Sequence, residues 1–142
     1  MKKKNLKHLK KVLSIPTKTW KEDLMIQYLT DYCVEKGFNY SIDKNGSVYV
    51  TKGNTDVYPC VVAHIDTVHE PVEMKINEEM LPNAQGELKL SLKAYEKDSG
   101  NPTGIGGDDK AGVFICLKML EQFDNIKAFF PVAEETGCHG SN

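Results

Sequence analysis

No apolar run in this chain of 142 residues extends beyond a few residues, far short of the roughly 20 that a membrane-crossing helix needs. The basic start, Met1-Lys2-Lys3-Lys4 with Lys7, Lys10 and Lys11, leads into no long apolar segment, so it does not read as a signal peptide. Leu6, Leu9 and Leu13 interleave with those lysines at helical spacing, and the basic side reads as a solvated helix face. Net charge is also scarce: the formal value is -2 and the pI about 6.1, which gives no strong pull toward nucleic acid. Neither a nucleic-acid nor a membrane partner is expected. None of the four cysteines, Cys33, Cys60, Cys116 and Cys138, lies in a CxxC pair. They read as reduced, mostly buried thiols of an intracellular, cytoplasmic protein. A GxSxG elbow is missing too, and no cysteine has nucleophilic flanks, which argues against serine and cysteine hydrolases. There is no internal repeat and no low-complexity segment.

What remains is an ordinary globular composition, 40% hydrophobic and 27% charged, at the length of one domain. After a short leading helix, Ser14-Ile15-Pro16-Thr17 reads as a break. Thr19-Trp20-Lys21-Glu22 fits a capping box, with Thr19 as N-cap and Glu22 reaching back. The helix that follows has an apolar stripe of Leu24, Tyr28 and Tyr32, widened by Met25, Leu29 and Cys33, and Gly37 stops it. Residues 38–42 and 47–51 flank Asn45-Gly46 and predict a hairpin. Residues 57–63 form an apolar run without alternation, as expected of a buried strand. Residues 71–101 are polar and read as loops with one strand near 88–92. A helix opens at Gly104-Ile105-Gly106-Gly107-Asp108-Asp109, with Val113, Cys116, Leu117 and Leu120 facing inward. Residues 126–132 form another buried strand. The order predicts an α/β fold with a mixed β-sheet sandwiched by helices.

Three polar clusters fall where α/β sheets place ligands, at strand ends and a helix start: His64-Ile65-Asp66, Gly107-Asp108-Asp109-Lys110 and Glu134-Glu135. His64 can offer one ring nitrogen to a metal while Asp66, two residues on, fixes the other. Asp108 and Asp109 repel each other unless a cation is near, although an aspartate there also suits a helix N-cap. Of Glu134 and Glu135, one can bind metal and the other move protons; a solvated acidic loop is the alternative. Imidazole and carboxylate without thiolate suit zinc, cobalt or manganese in a hydrolytic site.

The runs 61–68, 104–112 and 133–137, that is Val-Val-Ala-His-Ile-Asp-Thr-Val, Gly-Ile-Gly-Gly-Asp-Asp-Lys-Ala-Gly and Ala-Glu-Glu-Thr-Gly, resemble three ordered signatures of one family. It is the dinuclear zinc exopeptidase family of peptidase T, carboxypeptidase G and succinyl-diaminopimelate desuccinylase. The resemblance implies the family's phosphorylase/hydrolase-like fold and two zinc ions per complete site. It implies that His64 is a terminal ligand, Asp108 a bridge and Glu135 a ligand of the second zinc. Glu134 would be the general base, and Asp66 would orient His64. The peptide bond between Asp108 and Asp109 is typically cis in this family. Lys110 and His69 read as structural or solvated, and His139 as a loop residue before a helix. The implied reaction is amide hydrolysis in small peptides; an N-acyl amino acid deacylase or desuccinylase would use the same residues. Only three of the family's five metal ligands have matches here. Residues 1–142 therefore read as the amino-terminal part of the catalytic domain, an incomplete fold without the lid domain and the remaining ligands. An inactive fragment or half of a split enzyme is the alternative, with a complementary C-terminal fragment or a homodimer as the partner.

Overall fold

The computed structural model describes residues 3–70 and 72–141, so Met1 and Lys2 of the basic start lie outside the described residues. In chain order the elements are α1 (Lys3–Leu13), α2 (Asp23–Lys36), β1 (Asn39–Ile42), β2 (Val48–Lys52), β3 (Cys60–Val62), β4 (Met74–Pro82), β5 (Leu88–Glu96), β6 (Pro102–Thr103), α3 (Gly107–Gln122) and β7 (Ile126–Phe130). A 3-10 turn, His139–Ser141, follows. The class is mixed α/β, as the order of elements predicts.

One four-stranded sheet runs β1-β2-β7-β3. β1 and β2 form the expected hairpin, β2 and β7 are antiparallel, and β3 is parallel to β7. Alternation in β2 and β7 sorts the side chains. Val48, Val50, Ile126, Ala128 and Phe130 are buried and join Val12, Met25, Leu29, Cys33, Val113, Cys116, Leu117 and Leu120 of the three helices in one core. Among the described residues, that helix-bearing face is the covered one. On the other, Val62, Phe129 and Tyr49 align across neighbouring strands, with the Phe129 and Tyr49 rings stacked at 4.5 Å.

Several local expectations are corrected. The N-cap of α2 is Glu22, without a side-chain cap, so Thr19 and Glu22 form no capping box. Their side chains instead reach other loops, as described below. Leu24 is exposed, and the stripe that enters the core is Met25, Leu29, Tyr32 and Cys33. Gly37 does end the helix, in the left-handed conformation, with its N–H turned back to the last turn. The run 57–63 pairs only over Cys60–Val62 and forms the edge of its sheet, so Val57 and Val62 are exposed rather than buried. Of the cysteines, Cys33 and Cys116 are buried, Cys138 is half-buried and Cys60 is exposed.

The largest departure is in residues 71–101. The strand expected near 88–92 is present and longer, as β5, but the loops before it are replaced by a second nine-residue strand, β4, paired with it in register from Met74↔Glu96 to Pro82↔Leu88, with β6 beside β5. The turn between them is held by Asn83, whose side-chain carbonyl accepts the N–H groups of Gln85 and Glu87. Alternation alone predicts little of β4, because Asn77, Glu78 and Glu79 interrupt its apolar positions and neither face is fully buried.

Candidate metal centre

Parallel pairing of β3 with β7 brings both carboxyl ends out at the same side of the sheet. The two chains stay side by side beyond the strands: Ala63 N–H donates to Phe129 O at 3.2 Å and Ile65 N–H to Pro131 O at 3.0 Å. His64 therefore emerges next to Glu134. A third segment is laid along them by Thr67 N–H to Thr17 O (2.8 Å) and Thr19 N–H to Thr67 O (3.1 Å).

Asp66 is the hub of this crossing. It is fully buried, and both carboxylate oxygens are engaged. Oδ1 lies 3.3 Å from His64 Nδ1 and accepts the Glu134 N–H at 3.0 Å; Oδ2 accepts the Thr19 hydroxyl at 2.8 Å and the Glu135 N–H at 3.2 Å. Burial by itself would raise the Asp66 pKa, but hydrogen bonds from His64, Glu134, Thr19 and Glu135 outweigh it and hold the group at about 2. One carboxylate thus fixes an imidazole, a hydroxyl and the backbone of both glutamates.

With Nδ1 of His64 committed to Asp66, Nε2 faces outward, 3.1 Å from Asp108 Oδ1 and 3.8 Å from Glu134 Oε2. Ligand atoms of His64, Glu134 and Glu135 all lie within 4.8 Å of one another. The hydrogen bond to Asp66 raises the His64 pKa; burial opposes it, and Asp108 and Glu134 add to the rise, to about 9. A ring between carboxylates on both sides favours a positive charge, and so does the cluster as a whole. Imidazole and carboxylates without thiolate are the donor set of a divalent-cation site, and their spacing fits one.

Asp108 and Asp109 lie within the first turn of α3 but are not helical in φ and ψ, and the peptide bond between them is cis. Asp108 is almost fully exposed and reaches His64. Asp109 turns inward, where its Oδ1 accepts the Gly112 N–H at 3.0 Å and burial pushes its carboxyl above the ordinary range. A Cβ on Gly112 would sit 2.2 Å from that oxygen, so the close approach requires glycine. Lys110 is buried, donating to Leu13 O at 3.1 Å and Ile15 O at 2.6 Å, which ties the end of α1 to the start of α3. Burial lowers its pKa to about 8. His69 packs its ring against Gly104.

The residues singled out from sequence, His64, Asp66, Asp108, Glu134 and Glu135, are thus all brought together. Three more were missed. Thr19 donates to Asp66, and the Glu22 carboxylate accepts the Ala133 N–H at 3.2 Å, fixing the residue before Glu134. Ala133 itself has a left-handed φ of 50°. The Cys138 thiol approaches Glu134 Oε1 at 3.5 Å. Thr19 and Glu22 carried a signal, their three-residue spacing, but it matched a capping box equally well. Nothing in the sequence marks Cys138.

No family model matches this chain. Among curated proteins it is 21% identical over 80 residues to a LysW-lysine hydrolase of Deinococcus radiodurans, a match covering 56% of this chain and 22% of the relative. Among solved structures it is similar to an aminoacylhistidine dipeptidase from Vibrio alginolyticus (TM-score 0.69, 23% identity, 96% of this chain and 29% of that one). It is also similar to a tripeptidase from Staphylococcus aureus (TM-score 0.65, 21% identity, 94% and 37%). An aminopeptidase PepT from Bacillus cereus has a TM-score of 0.66 at 18% identity, covering 94% and 37%. These likenesses show the fold, and the chain spans roughly a third of the length of those structures.

Proposed function

We propose that this chain carries the amino-terminal part of a metal-dependent peptidase site. The observation that carries the reading is the Asp66 hub, which presents His64, Glu134 and Glu135 toward one point with ligand atoms within 4.8 Å. In this reading His64, Asp108 and Glu135 hold zinc, the two ions of a complete site, with cobalt or manganese as substitutes. A bound divalent ion supplies Lewis-acid chemistry, acidifying water and polarising the scissile carbonyl. To bind it, His64 must release the Nε2 proton that the surrounding carboxylates favour. Asp66 keeps the ring in one tautomer and orientation. Glu134 is the base: its side chain is part-exposed, within reach of water, and its backbone is fixed by Asp66. It takes the proton of the attacking water and returns it to the leaving amine. Glu135 stays exposed and available as a ligand.

Substrates in this reading are small peptides, in keeping with the di- and tripeptidases whose fold the chain shares. The match to a LysW-lysine hydrolase favours a second reading, hydrolysis of an N-acyl amino acid by the same residues. Residues 1–142 are assigned to the amino-terminal part of the catalytic domain; the remaining carboxylate and histidine ligands and the lid come from further sequence or a partner chain.

Zinc titration by calorimetry tests the reading. Saturable zinc binding that is lost in His64→Ala while the fold is kept supports it. Absence of zinc, cobalt and manganese binding, or binding unchanged in His64→Ala, overturns it.

A further inference from the structure

Beside the metal centre, just beyond the end of β7, lies a cleft of about 410 Å³. Its volume lies within the range of small-molecule sites. Trp20 lines one side, Lys44 and Asn45 of the β1–β2 turn a second, and His139 and Gly140 a third, with Ala133 between them. These parts are tied to one another. The Ser47 hydroxyl donates to Gly140 O at 2.9 Å, Gly140 N–H to Val132 O at 3.0 Å and His139 N–H to Ala133 O at 3.1 Å. Asp43 Oδ1 accepts the N–H groups of Asn45 at 2.8 Å and Ser47 at 3.0 Å, which fixes the β1–β2 turn. The cleft is therefore preformed.

Trp20 is the one tryptophan of the chain, yet its side chain is 64% exposed and its φ is 69°, a left-handed value that a bulky residue rarely adopts. The buried Glu22 carboxylate keeps it there by accepting the Trp20 N–H together with the Ala133 N–H. Burial raises the Glu22 carboxyl above its ordinary range against those two hydrogen bonds. His139 is the ring beside the indole, with centroids 5.5 Å apart, and no lysine lies over the indole among the described residues. Lys44 has no ion pair among the described residues, and the carboxylate next to it, Asp43, is taken up by its own turn and by the Tyr49 hydroxyl at 3.3 Å. The cleft thus combines an exposed apolar surface with an unpaired ammonium group.

Two of its residues adjoin the metal centre along the chain. Trp20 follows Thr19, whose hydroxyl is on Asp66, and Ala133 precedes Glu134, so each stands one Cα step of about 3.8 Å from the site. An extended peptide runs about 7 Å over two residues, which is the span from a scissile bond at Glu134 into the cleft. We propose that the cleft binds the C-terminal residue of a small peptide, its side chain on Trp20 and its carboxylate on Lys44. That such a peptide is a substrate rests on the peptidase reading; that the cleft holds its end rests on the cleft alone. Trp20 and Lys44 are then the residues that select for an apolar side chain and a free carboxylate.

Because Trp20 is the one tryptophan, its fluorescence reads the cleft directly. The full chain, free of metal, is titrated with the tripeptide Gly-Gly-Leu, with its C-terminal amide and with Gly-Gly-Gly. Gly-Gly-Leu should change the emission saturably. The amide should bind about threefold or more weakly, as should Gly-Gly-Leu to Lys44→Met, the scale of one exposed ion pair. Gly-Gly-Gly should bind about fivefold more weakly, for want of a side chain on the indole. Lys89→Met, on β5, controls for the lost charge and should leave affinity unchanged, and circular dichroism reports an intact fold. No saturable change overturns the proposal, and so does equal affinity for acid and amide or for Lys44→Met and wild type. Zinc binding as expected with a silent Trp20 sinks the cleft and leaves the metal reading standing. A saturable, Lys44-dependent response in a chain that binds no zinc does the reverse.

Discussion

The four-stranded sheet β1-β2-β7-β3 carries five fully or nearly fully buried side chains on one face, all in the core, whereas the sheet β4-β5-β6 buries only Ala94. The first is covered by three helices. The second is a long hairpin with Met80, Leu88 and Leu90 exposed, held by cross-strand pairs such as the Tyr95 hydroxyl on Glu79 and by Lys10 of α1 on Glu78 at 2.5 Å. The candidate site stands at the end of the first sheet, completed by the start of α3 and the segment before α2. His64 and Glu134 stand where β3 and β7 end, because a rigid, packed sheet can hold donor atoms to within tenths of an ångström. The hairpin contributes none of those residues. Burial, and the unique register it enforces, is what the site is built on.

That contrast can be broken by experiment. On the proposed peptidase reading, Glu134→Gln in the complete site should lower hydrolysis of a tripeptide by about 10²–10⁴-fold, the usual contribution of a general base. Leu90→Ala on the hairpin should leave the rate unchanged; an equal loss from both would tie the hairpin to catalysis. For stability, Phe130→Ala should cost about 3–5 kcal/mol, because a fully buried ring leaves a cavity, against about 0.5 kcal/mol or less for the half-exposed Leu90→Ala. Urea unfolding of the two variants measures the difference, and near-equal midpoints would dissolve the distinction between the sheets.

Asp66→Asn should weaken zinc binding by about 10–100-fold, since the amide cannot accept all the hydrogen bonds that orient His64 and both glutamates. Calorimetry reads this directly, and an unchanged affinity would remove Asp66 from its place as hub.

The smallest effect concerns Lys110, at the junction of α1 and α3. Its folded pKa, about 8, lies below the ordinary 10.5, so between those values the unfolded chain binds more protons than the folded one. This lysine's contribution to stability therefore rises with pH from about 8 toward 10.5. It opposes folding below that window. The urea midpoint of the wild type relative to Lys110→Met, measured from pH 7.5 to 10, should climb with pH. A flat difference would show that the two carbonyls satisfy the ammonium as well as water does.

Legibility followed the same division. The helices, the β1–β2 hairpin, the strand at 126–130 and the inward residues of α3 were readable because buried faces impose a period on sequence. Of the hairpin β4–β5 only the start of β5 near 88–92 was readable, since strands with so little burial write no clear alternation. Within the site, His64, Asp66, Asp108, Glu134 and Glu135 were legible as residue types with chemistry at strand and helix ends. Thr19 and Glu22 were misread because the same spacing serves a cap or a distant loop, and only the folded chain decides which acceptor or donor comes within reach.

By itself, then, the sequence determined the α/β class, the helix stop at Gly37, the Asn-Gly hairpin and the set of imidazole and carboxylate groups that could face a metal. Those properties depend on local conformation and side-chain chemistry, which neighbouring residues settle. Tertiary structure alone decided that β3 is an edge, that Lys110 is buried, that Thr19 and Glu22 serve the site, and that Asp66 joins three separated segments through one carboxylate. Such contacts link residues 47 to 111 positions apart. They form because burying Asp66 costs free energy unless every lone pair it turns inward finds a donor, and the donors lie on other segments.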